Sequence, residues 1–469
     1  MSSDKISINK KLVWCIASIA ATGGLLFGFD TGVISGALLF LKQDFKLTSG
    51  AQEWVVSAVL LGCIAGSAVS GSLVDQLGRR RSIIYTACIF AIGSIWTAFA
   101  GNVAALIAGR IVVGLAIGVS SYAVPLYISE ISPPQYRGAL VSLNQLLLTI
   151  GIVVSYIVDD LFANTSESWR AMFFAGVIPA AILGVGMFFL PETPGWLAGK
   201  GHDDEAKTIL QRLMPGLDTD RELNHLKQAT SLNKKESQKQ LLSAWLRPAL
   251  FVGVGIMFIQ QATGINTVIY YAPTIFEMAG FTSATTAITA TVSVGLVNVL
   301  MTLVSIQLVD RIGRKPLLSG GLIGMTISLS GLALGFEFEA EMGAALKWMT
   351  ITMLFIYIGS FAISVGPIAW LLIAEIYPLQ VRGLAMSFAT LSNWVFNFIV
   401  SITFLTLVER LGKAGTFWLY ASIGMVGWLF CRLYIPETKG VALDTIEDNL
   451  RRGVPTKHLG QSNSESDSR

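Results

Sequence analysis

Two ionisable residues stand inside long apolar runs: Asp30, in Gly28-Phe29-Asp30-Thr31-Gly32, and Arg110, in Ala108-Gly109-Arg110-Ile111-Val112. Charged groups at membrane depth are costly and face a cavity or each other. At 1.5 Å per helical residue, Asp30 lies about 16 Å and Arg110 about 9 Å from the outer ends of their runs, so the two can meet. A carboxylate beside a guanidinium stays ionised, and it takes a proton when the guanidinium moves away or water is excluded. Such a pair can couple proton movement to a change of shape. The competing reading is a permanent salt bridge pinning two helices, but one buried pair contributes little net stability. Asp30 is expected to be the only acid well inside a run, and His202, His225 and His458 all sit in polar segments.

A second set consists of amides and aromatics near mid-depth: Gln260, Gln261 and Asn266 in one run, Asn298 in the next, Trp370 after Gly366-Pro367, Asn393-Trp394, and Gln145 in the first half. Gly264, with Pro273 following, predicts a locally unwound helix, and Gly366-Pro367 predicts a second break. Amides donate and accept, which suits hydroxyl groups, and an indole suits the apolar face of a sugar ring. An anion would call for more Arg or Lys at this depth, an organic cation for more acid. Any one amide is explained as well by an interhelical hydrogen bond, worth about 1 kcal/mol. The set, converging at one depth, points to a neutral polyhydroxyl solute.

Membrane helices must position these groups. Of 469 residues, 53% are hydrophobic and 13% charged, against about 25% charged in soluble domains. The net charge of +3 and the lack of basic–aromatic clusters give no sign of nucleic-acid binding. Twelve apolar stretches can cross a bilayer, approximately 12–41, 54–74, 82–100, 104–127, 138–158, 170–190, 248–277, 286–309, 317–335, 348–376, 383–408 and 414–435. Outside Arg110, only Lys42, Lys46, Arg170, Lys347, Arg410 and Lys413 fall in alternate loops; the other Lys and Arg share one side. The positive-inside rule then places both termini in the cytoplasm, with an even number of spans. The first run is too long for a cleavable signal peptide and lacks a cleavage site. Cys15, Cys63, Cys88 and Cys431 lie in apolar runs without redox or metal spacing and read as packing residues.

The chain is internally repeated. Asp75-Gln76-Leu77-Gly78-Arg79-Arg80 returns half a chain later as Asp310-Arg311-Ile312-Gly313-Arg314-Lys315. Glu130 and Arg137 return as Glu375 and Arg382, and Pro191-Glu192-Thr193 returns as Pro436-Glu437-Thr438. A six-span unit repeated in parallel is a transporter architecture. The expected domains are 1–190 and 248–440, each a six-helix bundle, a cytoplasmic linker 191–247 with short amphipathic helices, and a tail 441–469 ending in a polar, disordered stretch. Asp75, Arg79, Glu130, Arg137, Glu192, Asp310, Arg314, Glu375, Arg382 and Glu437 all fall at cytoplasmic span ends. Pairing across the two bundles would let them close that side. Arg and Lys alone would satisfy topology, but Asp and Glu contribute little to it, so repeated acids argue for gating.

On these motifs the chain resembles the sugar porter family of the major facilitator superfamily, over about residues 12–450, and within it the bacterial galactose and arabinose proton symporters. The marks are Gly71 to Arg80, Pro125 to Pro133, Pro191 to Trp196, Gln260 to Asn266, Val309 to Pro316, Gly366 to Trp370 and Pro436 to Gly440. The resemblance implies Asp30 as proton acceptor with Arg110 as its partner, and Gln145, Gln260, Gln261, Asn266, Asn298, Trp370 and Asn393 as sugar contacts. Facilitative glucose carriers typically have an amide where Asp30 stands, so Asp favours symport. Gly195 departs from the family pattern, which has Arg there, and weakens the first half's inner gate.

The expectation is an all-α membrane protein of the major facilitator fold in the plasma (bacterial inner) membrane. It is a monomeric, proton-coupled monosaccharide symporter in which sugar binds between the halves by alternating access. The alternatives are a facilitative uniporter, a polyol or inositol carrier, and a sugar sensor. No nucleophile–base pair, metal cluster or phosphate loop argues for an enzyme, metal or cofactor.

Overall fold

The structure is a computed structural model that describes residues 8–230, 243–378 and 381–461. The expected disordered tail beyond Gln461 and part of the linker lie outside those residues. Among the described residues every regular element is helical. The first half runs α1 (Lys10–Asp44), α2 (Ser49–Leu77), α3 (Arg79–Ala98), α4 (Val103–Ile131), α5 (Arg137–Phe162), α6 (Ser168–Ala175) and α7 (Val177–Phe188). Three short helices follow, α8 (Pro194–Gly199), α9 (Asp203–Leu213) and α10 (Thr219–Thr230). The second half has α11 (Arg247–Ala262), α12 (Ile265–Met278), α13 (Ala284–Ile312), α14 (Arg314–Glu337), α15 (Glu339–Met342), α16 (Ala345–Ile363), α17 (Val365–Ile376), α18 (Arg382–Tyr434) and α19 (Leu443–Arg451).

Eleven of these segments are long and apolar enough to cross a membrane, counting α6–α7, α11–α12 and α16–α17 each as one. The last, α18, has 53 residues, far more than a bilayer needs. Its helix breaks at Gly412 (φ 75°), which divides it into two limbs and yields the twelve spans expected from composition. The outward faces are apolar, as lipid requires. On α7, Ile178, Ile182, Val185 and Phe188 are each more than half exposed, as is Phe189 just beyond it.

Within the described residues the chain forms two compact units: Met1–Val33, Ala58–Val158 and Glu167–Asn233 in one, and Ile34–Ser57, Asp159–Ser166 and Lys234–Arg469 in the other. The second unit thus takes in the Asp44 end of α1, the Ser49 end of α2 and the α5–α6 junction. In the first unit, α8, α9 and α10 bury Leu197, Ala198, Ala206 and Leu223 in a small core of their own. Three acids in the first turn of α9 and Arg212 in its last suit the helix dipole.

Asp30 remains the one acid well inside an apolar run, but two further acids are buried at helix ends just outside the runs. Helix α5 continues past residue 158 to Phe162 and carries Asp159, which is fully buried, and α2 begins at Ser49 and carries Glu53, 3% exposed. Apolar windows end at the first charge, but a helix does not. Backbone hydrogen bonding carries it on as long as the side chains find partners.

Helices α1 and α5 meet along glycines four residues apart. A Cβ on Gly28 would lie 1.9 Å from the carbonyl oxygen of Leu148, and one on Gly32 1.9 Å from Ser155 Oγ. One on Gly36 would lie 2.5 Å from Asp159 Oδ2. No side chain fits in that seam, so α1 lies directly on the backbone of α5.

Candidate functional site

In the first unit, α1 and α4 bring Asp30 and Arg110 together. The guanidinium Nη1 donates to Asp30 Oδ1 in a buried ion pair. Arg110 also lies over the ring of Phe173, 5.6 Å from its centroid. Its Nε and Nη2 are buried without a hydrogen-bond partner. A guanidinium with five N–H donors is therefore under-used, and the Asp30 carboxylate is its one anionic contact among the described residues. Such a pair is held by charge rather than by a filled hydrogen-bond network. Gln145, on α5 of the same unit, is half-buried.

In the second unit the amides form one connected network. The helix breaks at Gly264, whose φ of 91° favours glycine. This places Gln260 and Gln261 at the end of α11 and Asn266 at the start of α12. Asn266 Nδ2 donates to Gln261 Oε1 (2.7 Å), and Gln261 Nε2 donates to Asn393 Oδ1 (3.1 Å). Asn393 Nδ2 donates to Gln260 Oε1 (2.7 Å). Gln260 Nε2 donates to the carbonyls of Val365 and Gly366 (3.1 and 3.0 Å), tying the network to the second predicted break, which falls at Ser364. Pro367 has no N–H to offer the carbonyl of Ile363, and that oxygen accepts from Ser305 Oγ instead (2.8 Å). Asn298 and Trp394 are buried and Trp370 is half-buried.

Sequence reasoning missed a second polar chain beside this network. Ser401 Oγ donates to Asn397 Oδ1 (3.1 Å), Tyr271 Oη to the Ser401 carbonyl (3.2 Å), and Tyr357 Oη to the Thr263 carbonyl (2.8 Å). Asn397 follows Asn393 by one helical turn, and that spacing was the available signal.

The repeated charges form the same knot twice. In the first unit, Glu192 accepts the backbone N–H groups of Arg79 and Arg80, capping the start of α3 (3.1 Å each). Arg79 binds Glu130 (Nη2 to Oε1, 3.0 Å) and Asp75 (3.4 Å), and Thr193 Oγ1 donates to Glu130. In the second unit, Glu437 accepts from the N–H groups of Arg314 and Lys315, capping α14 (3.0 Å each). Arg314 binds Glu375 through two nitrogens (2.6 and 3.1 Å) and Asp310 at 3.5 Å, and Thr438 Oγ1 donates to Glu375. Gly78 and Gly313, at φ 96° and 106°, make the tight turn that brings each carboxylate in, and a Cβ there would lie within 2.4 and 2.7 Å of it. Burial pushes the Glu192 carboxyl above the ordinary glutamate range, opposed by the N–H groups it accepts.

Each of the bonds described above joins residues of one half. Each half carries its own set of acid, base and cap. Arg137 is exposed, and its counterpart Arg382 is half-buried, donating to the Tyr377 carbonyl (3.1 Å). Gly195 leaves room beside Glu130: a Cβ there would be 3.6 Å from the carboxylate.

The chain is similar to known proteins over most of its length. The family profile described as "Sugar (and other) transporter" matches residues 16–450. The galactose-proton symporter of Escherichia coli (strain K12) is 42% identical, covering 96% of this chain and 97% of its own. The arabinose-proton symporter of the same strain is 40% identical, covering 96% of each. Among solved structures, the partially occluded, inward-open xylose transporter XylE from E. coli matches with a TM-score of 0.82 at 29% identity, covering 92% of this chain and all of that one. The XylE proton:xylose symporter bound to 6-bromo-6-deoxy-D-glucose matches with a TM-score of 0.78 at 31% identity, over 93% and 98%. With twelve spans, a duplicated knot and a family match over residues 16–450, the chain is a multi-pass membrane protein that belongs to the sugar transporter family of the major facilitator superfamily.

Proposed function

We propose that this protein takes up a monosaccharide together with a proton, by opening alternately to the two sides of a bacterial inner membrane. The observation that carries the reading is the buried Asp30–Arg110 pair with two guanidinium nitrogens left without partners. An acid whose only charged partner is an under-bonded arginine is poised to exchange it for a proton. The similarity to galactose, arabinose and xylose symporters supports proton coupling and a monosaccharide substrate.

In this reading the amides Gln260, Gln261, Asn266 and Asn393, with Gln145, Asn298, Trp370 and Trp394, contact the sugar. Donor–acceptor side chains already held in one network lose little entropy on meeting hydroxyl groups. Residues 1–190 and 248–440 act as the two moving bodies, joined by 191–247, and each is stiffened by its own knot of Arg79 or Arg314. The basic helix ends and both termini lie in the cytoplasm, the functional unit is a monomer in lipid, and the protein transports rather than converts its substrate. Substitution Asp30→Asn in proteoliposomes tests the reading: uphill uptake should vanish while sugar exchange survives. Persistent uphill uptake would overturn the coupling assignment, and sugar-induced alkalinisation missing from the parent protein would favour a uniporter.

A further inference from the structure

Three acids are buried in the spans, and they differ in what supports a charge. Asp30 has a guanidinium. Glu53 accepts the Thr406 backbone N–H and hydroxyl, 2.7 Å each. Asp159 has far less. It is fully buried at the far end of α5, and Oδ2 accepts a single N–H from Gly36 at 3.2 Å. Oδ1 is buried with no hydrogen-bond partner, and Asp159 forms no ion pair among the described residues. An ionised carboxylate has about four lone-pair sites to fill, and here one donor serves them.

The surroundings explain how such a group stays dry. One turn further out, Leu39 of α1, Ala163 and Ile288 of α13 form an apolar plug. Beside it, Thr289 Oγ1 donates to Asp160 (2.7 Å). The titratable and charged groups on the packed elements are few. On α1 they are Asp30, paired with Arg110, the exposed Lys42 and Asp44, and at its opposite end Lys10, Lys11 and Cys15; on α5 they are Tyr156, Asp160 and, at its opposite end, Arg137; on α13 they are Asp310 and Arg311, at the far end of the helix. None supplies a cation to Asp159. The plug depends on a residue of the second half, Ile288, so in the transport reading above, its withdrawal lets water reach the carboxyl.

We propose that Asp159 is a second proton-binding site: neutral while the Leu39–Ala163–Ile288 plug is shut, ionised when the outer face opens, so that closing that face takes up a proton there. Closing balances simply, with one proton from the outer water forming the Asp159 O–H bond and opening returning it.

The inference rests on alternating access but not on Asp30, so the test removes Asp30 first. In the Asp30→Asn protein, spin labels at Gln43 and Leu411 report outer closure by their separation. The ratio of closed to open carriers should fall as pH rises, by up to tenfold per pH unit above the open-state value. Adding Asp159→Asn should flatten that dependence. A flat profile in Asp30→Asn alone, or one unchanged by the second substitution, overturns the proposal. If Asp159→Asn does not fold, judged by gel filtration, Asp159→Ser replaces it. Infrared spectroscopy of Asp30→Asn alone is a further check needing no change at Asp159. A protonated carboxyl C=O band resisting deuterium exchange at neutral pH is expected, and its absence refutes the assignment. Failure of the transport reading shows separately, as uphill uptake by Asp30→Asn or as no sugar exchange in any variant.

Discussion

Replacing Asn393 with leucine cuts the amide network at its centre while keeping volume. Asn393 makes two of the bonds, to Gln260 Oε1 at 2.7 Å and from Gln261 Nε2 at 3.1 Å. Gln260 keeps its two backbone carbonyl acceptors, so it stays in place, and the disturbance falls on Gln261, which retains its bond from Asn266. A neutral hydrogen bond contributes about 0.5–1.5 kcal/mol, and a buried group left unpaired costs about 1–3 kcal/mol. Bonds within membrane bundles average nearer 0.6 kcal/mol. A total of about 1–3 kcal/mol follows, equal to a 5- to 150-fold weaker sugar affinity at about 1.4 kcal/mol per decade. Equilibrium dialysis of labelled galactose, glucose, xylose and arabinose against the purified protein measures it. A double-mutant cycle with Gln261→Leu should show coupling of about 0.5–2 kcal/mol. Affinities within twofold of the parent for all four sugars, or strictly additive losses, would refute the claim that this network presents the sugar site.

Three further outcomes follow from the geometry. Gly28→Ala drives a methyl group into the Leu148 carbonyl of α5, and a melting temperature in detergent lowered by a destabilisation of about 1–3 kcal/mol is expected. Arg314→Lys gives up the two-nitrogen contact to Glu375; lysine offers one point charge where the fork fitted two oxygens, so sugar exchange slows and the melting temperature falls even though charge is conserved. For Glu192, whose carboxyl is pushed up by burial, the folded state holds its proton more tightly than the unfolded chain. The stability this contributes is full below the free value of 4.5 and is lost as pH rises through the raised value. The melting temperature of the parent minus that of Glu192→Gln is therefore larger in acid than at neutral pH, and the reverse order would contradict the burial argument.

Much of the fold was legible from composition. Runs of apolar residues marked the spans, and Gly264 and Gly366-Pro367 marked both breaks because glycine and proline act locally. The Asp30–Arg110 meeting followed from depth along two helices. Other features depended on neighbours in space. The repeat showed that Arg79 and Arg314 do the same job without showing that each grips an acid of its own half. Asp159 and Glu53 looked like loop residues because hydropathy stops at a charge, whereas α5 and α2 do not. Asn397, Ser401 and Tyr357 were passed over because isolated polar residues in an apolar helix carry no phase until the facing helices are known.

The self-contained knots also bear on biogenesis. Glu192, which caps α3, follows Arg79 by 113 positions, and Glu437 follows Arg314 by 123. A nascent chain entering the membrane therefore has Asp75 and Glu130 for the Arg79 guanidinium early, but leaves the first N–H groups of α3 without their Glu192 cap until Pro191-Glu192-Thr193 has been made. The knot then shuts without waiting for the rest of the protein. The two caps are completed at equivalent places, Glu192 after the sixth span and Glu437 after the twelfth.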